Sequence, residues 1–370
     1  MKFMFLSESG LGNALLALPV YWYFCETYRA DFEEDRCFHL VETDLYWHGN
    51  PLISPRMKFF FYPSKWRQGK RKYHAEIIAY IQSNDICTVI DLRNETGEDD
   101  VECIELAQLV SEHLPHVNFI SWHHFDETSK YGLYIQDVWK RMFTDYGIVD
   151  VDFSVPFQAY FVERVNTHDA PIVLYVGASR KEKMLEIRFI ILLMDILIKQ
   201  GETVMLLSGP SELDRSQFAS ISKVMIDNNI DDCKVSFHQS DGIKDLVDFA
   251  KNRRIKAFIC PDTAVMHLAY LAKIPTIGYY LVTDHRVWGP ADSPRFMPVM
   301  SEKCKTCSHM PIQGCCMEYL WTNCRESPDD TTVVLEIVNR VKSFTFDTDA
   351  GKNGHQSPLG TQQPDIDLLG

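Results

Sequence analysis

Several absences narrow the field before any motif is read. There is no excess of positive charge: Lys and Arg number 37 against 51 Asp and Glu, a formal net charge of -14. A polyanion is repelled by such a chain unless a local basic patch intervenes, so general nucleic-acid binding is excluded. There is no apolar run long enough to cross a bilayer. The longest span residues 14–24 and 187–198, and the second is broken by Arg188 and Asp195. There is no export signature at the N-terminus, because Ser7-Glu8-Ser9-Gly10 interrupts the apolar stretch right after Leu6. Nor is any internal repeat visible. The eleven cysteines are an odd count in a chain without an export signal. They point to free thiols in a reducing cytoplasm, with room for one metal site, rather than to a disulfide framework.

What is present suits a soluble protein with a real core: 370 residues, 46% apolar and 24% charged, enough for two ordinary domains. Residues 2–6 (KFMFL) predict a buried strand, followed by the turn SESGLGN and an apolar helix over 14–28. That is the opening of a βαβ unit. Residues 87–93 (CTVIDLR) predict a later strand, and the pattern loosens over 150–170. It then restarts: a strand in 171–179, a helix over 187–201 closed by Gly201, a strand in 202–212, then helix, strand and helix through AVMHLAYLAK. Alternation of this kind predicts doubly wound parallel sheets. The expected layout is an N-terminal domain over 1–165 and a C-terminal domain over 166–346, with a cleft between. Residues 347–370 have no aromatic and four glycines, which predicts a disordered tail.

Four turns fall where parallel strands should end, the place where open α/β sheets bind ligands. Gly10-Leu11-Gly12-Asn13 precedes the first helix; glycines there serve either ligand approach or tight strand–helix packing. Gly177-Ala178-Ser179-Arg180-Lys181-Glu182-Lys183 reads either as a diphosphate seat or as a solvated charge run. Cations disfavour a helix N-terminus, which tilts the choice towards a ligand. Ser208-Gly209-Pro210-Ser211-Glu212 offers a carboxylate for ribose hydroxyls or for capping a helix. The fourth, ICPDTAVMHLAYLAKIP, ends a strand at Cys260-Pro261, caps the next helix with Asp262-Thr263, and places Ala264 and His267 on its first turn. Asp262 as a plain N-cap and His267 as a core histidine are the alternative; cap, open helix N-terminus and histidine together favour an anion site.

Two further segments stand out. Residues 56–72 (RMKFFFYPSKWRQGKRK) carry seven Lys or Arg, no acid and interleaved aromatics. A solvated loop, a nucleic-acid stripe and a docking surface for an anionic glycolipid compete there, and the overall charge disfavours the second. Residues 304–324 hold five of the eleven cysteines. Cys304 and Cys307 have metal-knuckle spacing, with Cys316 and Cys324 as further ligands for a structural zinc or iron, against a buried thiol cluster.

Over roughly 1–340 the chain resembles the family-9 glycosyltransferases, the ADP-heptose:lipopolysaccharide heptosyltransferases. GLGNALLALP looks like the family's G-D-x-x-x-x-x-P loop, and VGASRKEKMLEIRF like the segment carrying a phosphate-binding lysine, here Lys183. LLSGPSELDR resembles the glycine turn and ribose-binding glutamate, here Glu212, and CPDTAVMHLAYLAKIPTIGYY the D-T-G-x-x-H-L-A motif; Thr283-Asp284 and Trp288-Gly289-Pro290 continue the pattern. The resemblance implies an α/β GT-B fold of two Rossmann-like domains. It implies inverting transfer of a sugar, heptose in such a family, from a nucleotide-sugar donor such as ADP-heptose to a lipopolysaccharide-core or other glycan acceptor, with no cofactor required for the chemistry. The alternatives are a catalytically silent sugar-nucleotide binder of the same fold, or transfer to a protein acceptor. The implied donor residues are Gly177, Ser179, Lys183, Gly209, Glu212, Asp262, Thr263, Ala264 and His267, with Lys183 and His267 meeting phosphate charge. Gly12, Lys65, Arg67, Lys70 and Arg71 are the acceptor-side residues, for an anionic glycan or glycolipid reached from the cytoplasm, at the inner membrane face. Asn13 occupies the position of the family's catalytic aspartate, and Ala264 that of the D-T-G glycine. An amide cannot take a proton at neutral pH, which leaves Glu8, and after it Asp91, as replacement bases.

Overall fold

Short strands that are apolar on every residue can only be stable with both faces covered, and that condition organises the whole chain. The computed structural model describes residues 2–6, 11–27, 37–41, 52, 57–61, 71–93, 98–122, 134–148, 153, 169–178, 181–228, 230, 232–281, 285–290, 293–300 and 330–344. Its first half runs β1 (Phe3–Leu6), α1 (Leu11–Thr27), β2 (Cys37–Val41), β3 (Met57–Phe61), α2 (Arg71–Ser83), β4 (Thr88–Asp91), α3 (Glu98–His113), β5 (Asn118–Ser121) and α4 (Ile135–Asp145). All strands pair in parallel, in the order β3-β2-β1-β4-β5.

The second half runs β6 (Ile172–Tyr175), a 3-10 turn (Lys181–Lys183), α5 (Ile187–Lys199), β7 (Val204–Ser208), α6 (Glu212–Asp227), β8 (Val235–Gln239), α7 (Ile243–Asn252), β9 (Ala257–Pro261), α8 (Ala264–Leu271), β10 (Thr276–Tyr280), α9 (His285–Trp288), β11 (Phe296–Met300) and α10 (Asp330–Ser343). Its parallel sheet has the order β11-β10-β9-β6-β7-β8, the doubly wound order of a Rossmann fold. In both sheets the winding reverses beside the first strand: between β1 and β4, and between β6 and β9. Gly201 closes α5 in the left-handed region (φ 92), as its sequence position predicts. The expected join near 165/166 and the tail 347–370 lie outside the described residues.

The halves share one apolar core. Residues 14–21 of α1 are all buried, and the helix contributes Leu15, Leu18, Tyr21 and Phe24 to a cluster with Phe5. Trp139 and Phe143 of α4, Val247 and Phe249 of α7, and Met266 and Leu268 of α8 belong to the same cluster. A helix apolar all round has to be covered all round, so α1 packs on its own sheet and on α8 of the other half. Pro19 sits inside α1 and removes one helix hydrogen bond. The buried Gln136 amide of α4 donates to the Leu16 carbonyl in that turn at 3.0 Å and ties α4 to α1. The outer faces are covered separately, by α2 and α3 on the first sheet and by α5, α6 and α10 on the second.

Candidate functional site

The reversal between β6 and β9 marks the crevice in which open α/β sheets take ligands, beyond the carboxyl ends of the strands, and Lys183, Asp262, Thr263, Ala264 and His267 are gathered there. β9 ends at Pro261; Asp262, almost fully buried, follows, and Thr263 in an extended conformation is the N-cap of α8. From the β6 side the 3-10 turn brings Lys183 across, and its Nζ lies 2.9 Å from Asp262 Oδ2. Thr263 does not cap α8 with its side chain. Its Oγ1 is buried and has no hydrogen-bond partner among the described residues, an arrangement that costs about 1–3 kcal/mol until a partner arrives. The first turn of α8 contains no acid, so its free N–H groups and positive dipole end face the same place as the Lys183 ammonium.

α1 meets α8 at this point. A Cβ placed on Gly12 would lie 3.7 Å from His267 Cδ2, 3.9 Å from Ala264 Cα and 4.0 Å from Ala264 N. Two helix N-termini, one from each half, thus adjoin, and half-buried Asn13 stands next to the contact. His267 is 5% exposed. Burial lowers its pKa to about 4, opposed by the nearby Asp262 carboxylate and reinforced by the Lys183 ammonium. The imidazole is therefore neutral at neutral pH. It can meet a phosphate with a hydrogen bond, while Lys183 supplies the cation. α4 reaches the same helix, since the buried Tyr134 phenol, its pKa raised well above 10 chiefly by burial, also feels Tyr270 of α8.

The glycines at the β6 and β7 ends have a different reason for being glycine. Gly177 and Gly209 are both buried. A Cβ on either would fall onto the carboxylate of Asp214, and the Tyr175 hydroxyl is 2.7 Å from the first position and 2.8 Å from the second. Asp214 belongs to the first turn of α6. Its backbone N–H donates to the capping Ser211 Oγ at 3.0 Å, and its Oδ1 accepts the N–H of Ala178 at 2.9 Å. The Ala178 amide that sequence reading offers to a diphosphate is thus already taken by a carboxylate. Glu212 is exposed at the start of α6. Sequence reasoning missed Asp214 and Tyr175, although Ser211-x-x-Asp214 has the form of a capping box. In such a box the carboxylate folds back on its own helix; here it crosses to the neighbouring turn.

In the first half, Asp91 ends β4 beside Leu6 of β1. Its candidacy as a base is corrected by its surroundings. Arg93 Nε donates to Oδ1 at 2.8 Å and Nη2 to Oδ2 at 2.5 Å, with both side chains fully buried. A carboxylate clasped on both oxygens is a poor proton acceptor. Arg71 opens α2, and nothing further is described of its side chain. Glu8, Lys65, Arg67, Lys70, Ser179, Thr283, Asp284, Cys304, Cys307, Cys316 and Cys324 lie outside the described residues. Gly289 follows Trp288 and packs under Tyr280, whose hydroxyl would be 2.6 Å from a Cβ there. Among the described residues no group of His, Cys, Asp and Glu could hold a metal ion, and no helix is long and apolar enough to cross a membrane.

Two Rossmann-like parallel sheets joined near their reversal points define the class: an α/β protein of the GT-B type. Residues 149–314 match the model of glycosyltransferase family 9 (heptosyltransferase). No curated protein sequence matches it. Among solved structures it is similar to the glycosyl transferase family 9 protein from Veillonella parvula, with 12% identity, TM-score 0.56, and coverage of 92% of this chain and 97% of that one. It is also similar to E. coli heptosyltransferase WaaC with ADP, at 14% identity and TM-score 0.53, covering 81% of this chain and 93% of that one. E. coli ADP-heptose lps heptosyltransferase II follows at 12% identity and TM-score 0.52, with 81% and 90% covered.

Proposed function

We propose that the chain transfers a sugar, a heptose, from ADP-heptose to an anionic glycan acceptor of the lipopolysaccharide-core kind, with inversion at the anomeric carbon. The observation that carries this reading is the buried, unpartnered Thr263 hydroxyl at the start of α8, with the Lys183 ammonium beside it at the sheet's switch point. A diphosphate placed there would satisfy the hydroxyl, accept from the helix N–H groups and draw Lys183 from Asp262. As the glycosidic bond breaks, negative charge grows on the leaving phosphate, and donors already aimed at it stabilise that charge. Lys183 and the amides supply this neutralisation, so no metal is assigned to the step. Glu212 is assigned to the ribose hydroxyls. The acceptor would enter over Gly12 and Asn13, with Lys65, Arg67, Lys70 and Arg71 holding its acidic groups. Glu8 would take the proton that Asn13 cannot, while Asn13 orients the acceptor hydroxyl.

Calorimetric titration with ADP tests the donor site: Lys183→Ala is expected to weaken binding about tenfold or more with the fold intact, and unchanged affinity would overturn the assignment. Asn13 supports a second reading, a sugar-nucleotide binder that has lost its base. That reading requires ADP-heptose binding without transfer to any of a panel of core acceptors.

A further inference from the structure

Between the glycine turns of the second sheet lies a carboxylate that the proposed chemistry does not use. Asp214 is 4% exposed, and no cation pairs with it among the described residues. Its surroundings are neutral dipoles: the Ala178 amide at 2.9 Å and the Tyr175 hydroxyl, which with the two carboxylate oxygens crowds the space over both Gly177 and Gly209. The phenol stays protonated, because burial and then the Asp214 charge push its pKa far above 10. β6 and β7 are adjacent, with Tyr175 opposite Leu207. One side chain from α6 therefore ties the turn after β6 to the turn after β7, and the two glycines provide the room. The crevice is polarised as a result. Its β9 end presents a helix N-terminus and Lys183, with the charge of Asp262 neutralised by that lysine; its β7 end has an uncompensated carboxylate beneath the turns.

We propose that Asp214, supported by Tyr175, is a positioning residue that sets the direction in which a nucleotide lies. Its charge repels phosphate from the β6–β7 end. The hydrogen bond to Ala178 holds those turns at the spacing that a nucleoside occupies, so the diphosphate is directed to Thr263 and α8. The inference rests on the donor-site reading above and specifies its orientation.

The experiment compares ADP with inorganic pyrophosphate, in calorimetric titrations of the full chain. Asp214→Asn replaces a charge-assisted bond by a neutral one. ADP affinity should fall about tenfold, while pyrophosphate, seated at α8, should bind as well as in the parent or better. Tyr175→Phe keeps the carboxylate and should lower ADP affinity about threefold, again sparing pyrophosphate; it carries the test if thermal melting shows Asp214→Asn unfolded. Equal losses for both ligands in a folded variant would reduce Asp214 to general support and overturn the proposal. Unchanged ADP affinity in both variants would also overturn it. If the parent fails to bind ADP, the donor-site reading falls first, and this proposal with it.

Discussion

The opening turns of the two halves, Gly12 after β1 and Gly177 after β6, are equivalent in topology and opposite in packing. At Gly12 the nearest groups to an added Cβ are in ordinary contact, the closest at 3.7 Å, and they belong to α8 of the other half. At Gly177 the space is already filled by Asp214 and Tyr175 of its own half. One turn is small at a junction between halves; the other is small because a buried carboxylate fills it. A glycine before a helix therefore does not by itself mark the place where a ligand touches backbone.

The largest effect expected from this contrast concerns His267, which seals the junction at Gly12. Its folded pKa of about 4 lies below the ordinary value of 6.5. Between those values the unfolded chain binds the proton that the folded one refuses, so the histidine's contribution is fully present above pH 6.5 and is lost as pH falls to 4. Urea unfolding at pH 7, 5.5 and 4.5 should show a loss on the order of 3 kcal/mol from this group. His267→Gln should flatten that part of the profile, and an unchanged slope would show that the junction does not desolvate the ring.

Next comes chemistry at the first turn. If Glu8 takes the proton, Glu8→Gln should cost about a hundredfold in rate with little change in donor affinity, and Asn13→Asp should help little. A lost base reverses the order: Asn13→Asp raises a low activity and Glu8→Gln is neutral. Steady-state rates of these two variants separate the cases.

Smaller still, Gly177→Ala and Gly209→Ala force a methyl onto the Asp214 carboxylate, and each should destabilise by about 1–3 kcal/mol in denaturant titrations. Gly12→Ala is the mildest. It replaces a helical glycine where space allows, and should be neutral or stabilising by up to about 1 kcal/mol. A loss at Gly12 as large as that at Gly177 would erase the contrast between the turns.

Much of the fold was legible because strand and helix signals in a parallel sheet are local. IVLY, VMLLS and AFICP are apolar runs of strand length, and Gly201 ends a helix for the left-handed geometry that it adopts. The start of α8 was legible too, from Cys260-Pro261-Asp262-Thr263 before an apolar helix, although the Thr263 side chain does not cap it. Charge states were not. The protonation state of His267 cannot be read until its burial is known, and Asp91 reads as a free base until Arg93 is seen to hold both oxygens.

Sequence alone determined the alternation of parallel strands and helices, the four turns at strand ends and the departure of Asn13 from the family's aspartate, because each depends on neighbours within a few positions. Tertiary structure decided which turns belong together. Lys183 and Asp262 are 79 residues apart, Ala178 and Asp214 are 36 apart, and Gly12 meets His267 only through helix packing. Burial, hydrogen-bond satisfaction and proton affinity depend on every atom within a few ångströms. Only the folded chain brings those atoms to His267, Asp214 and Thr263.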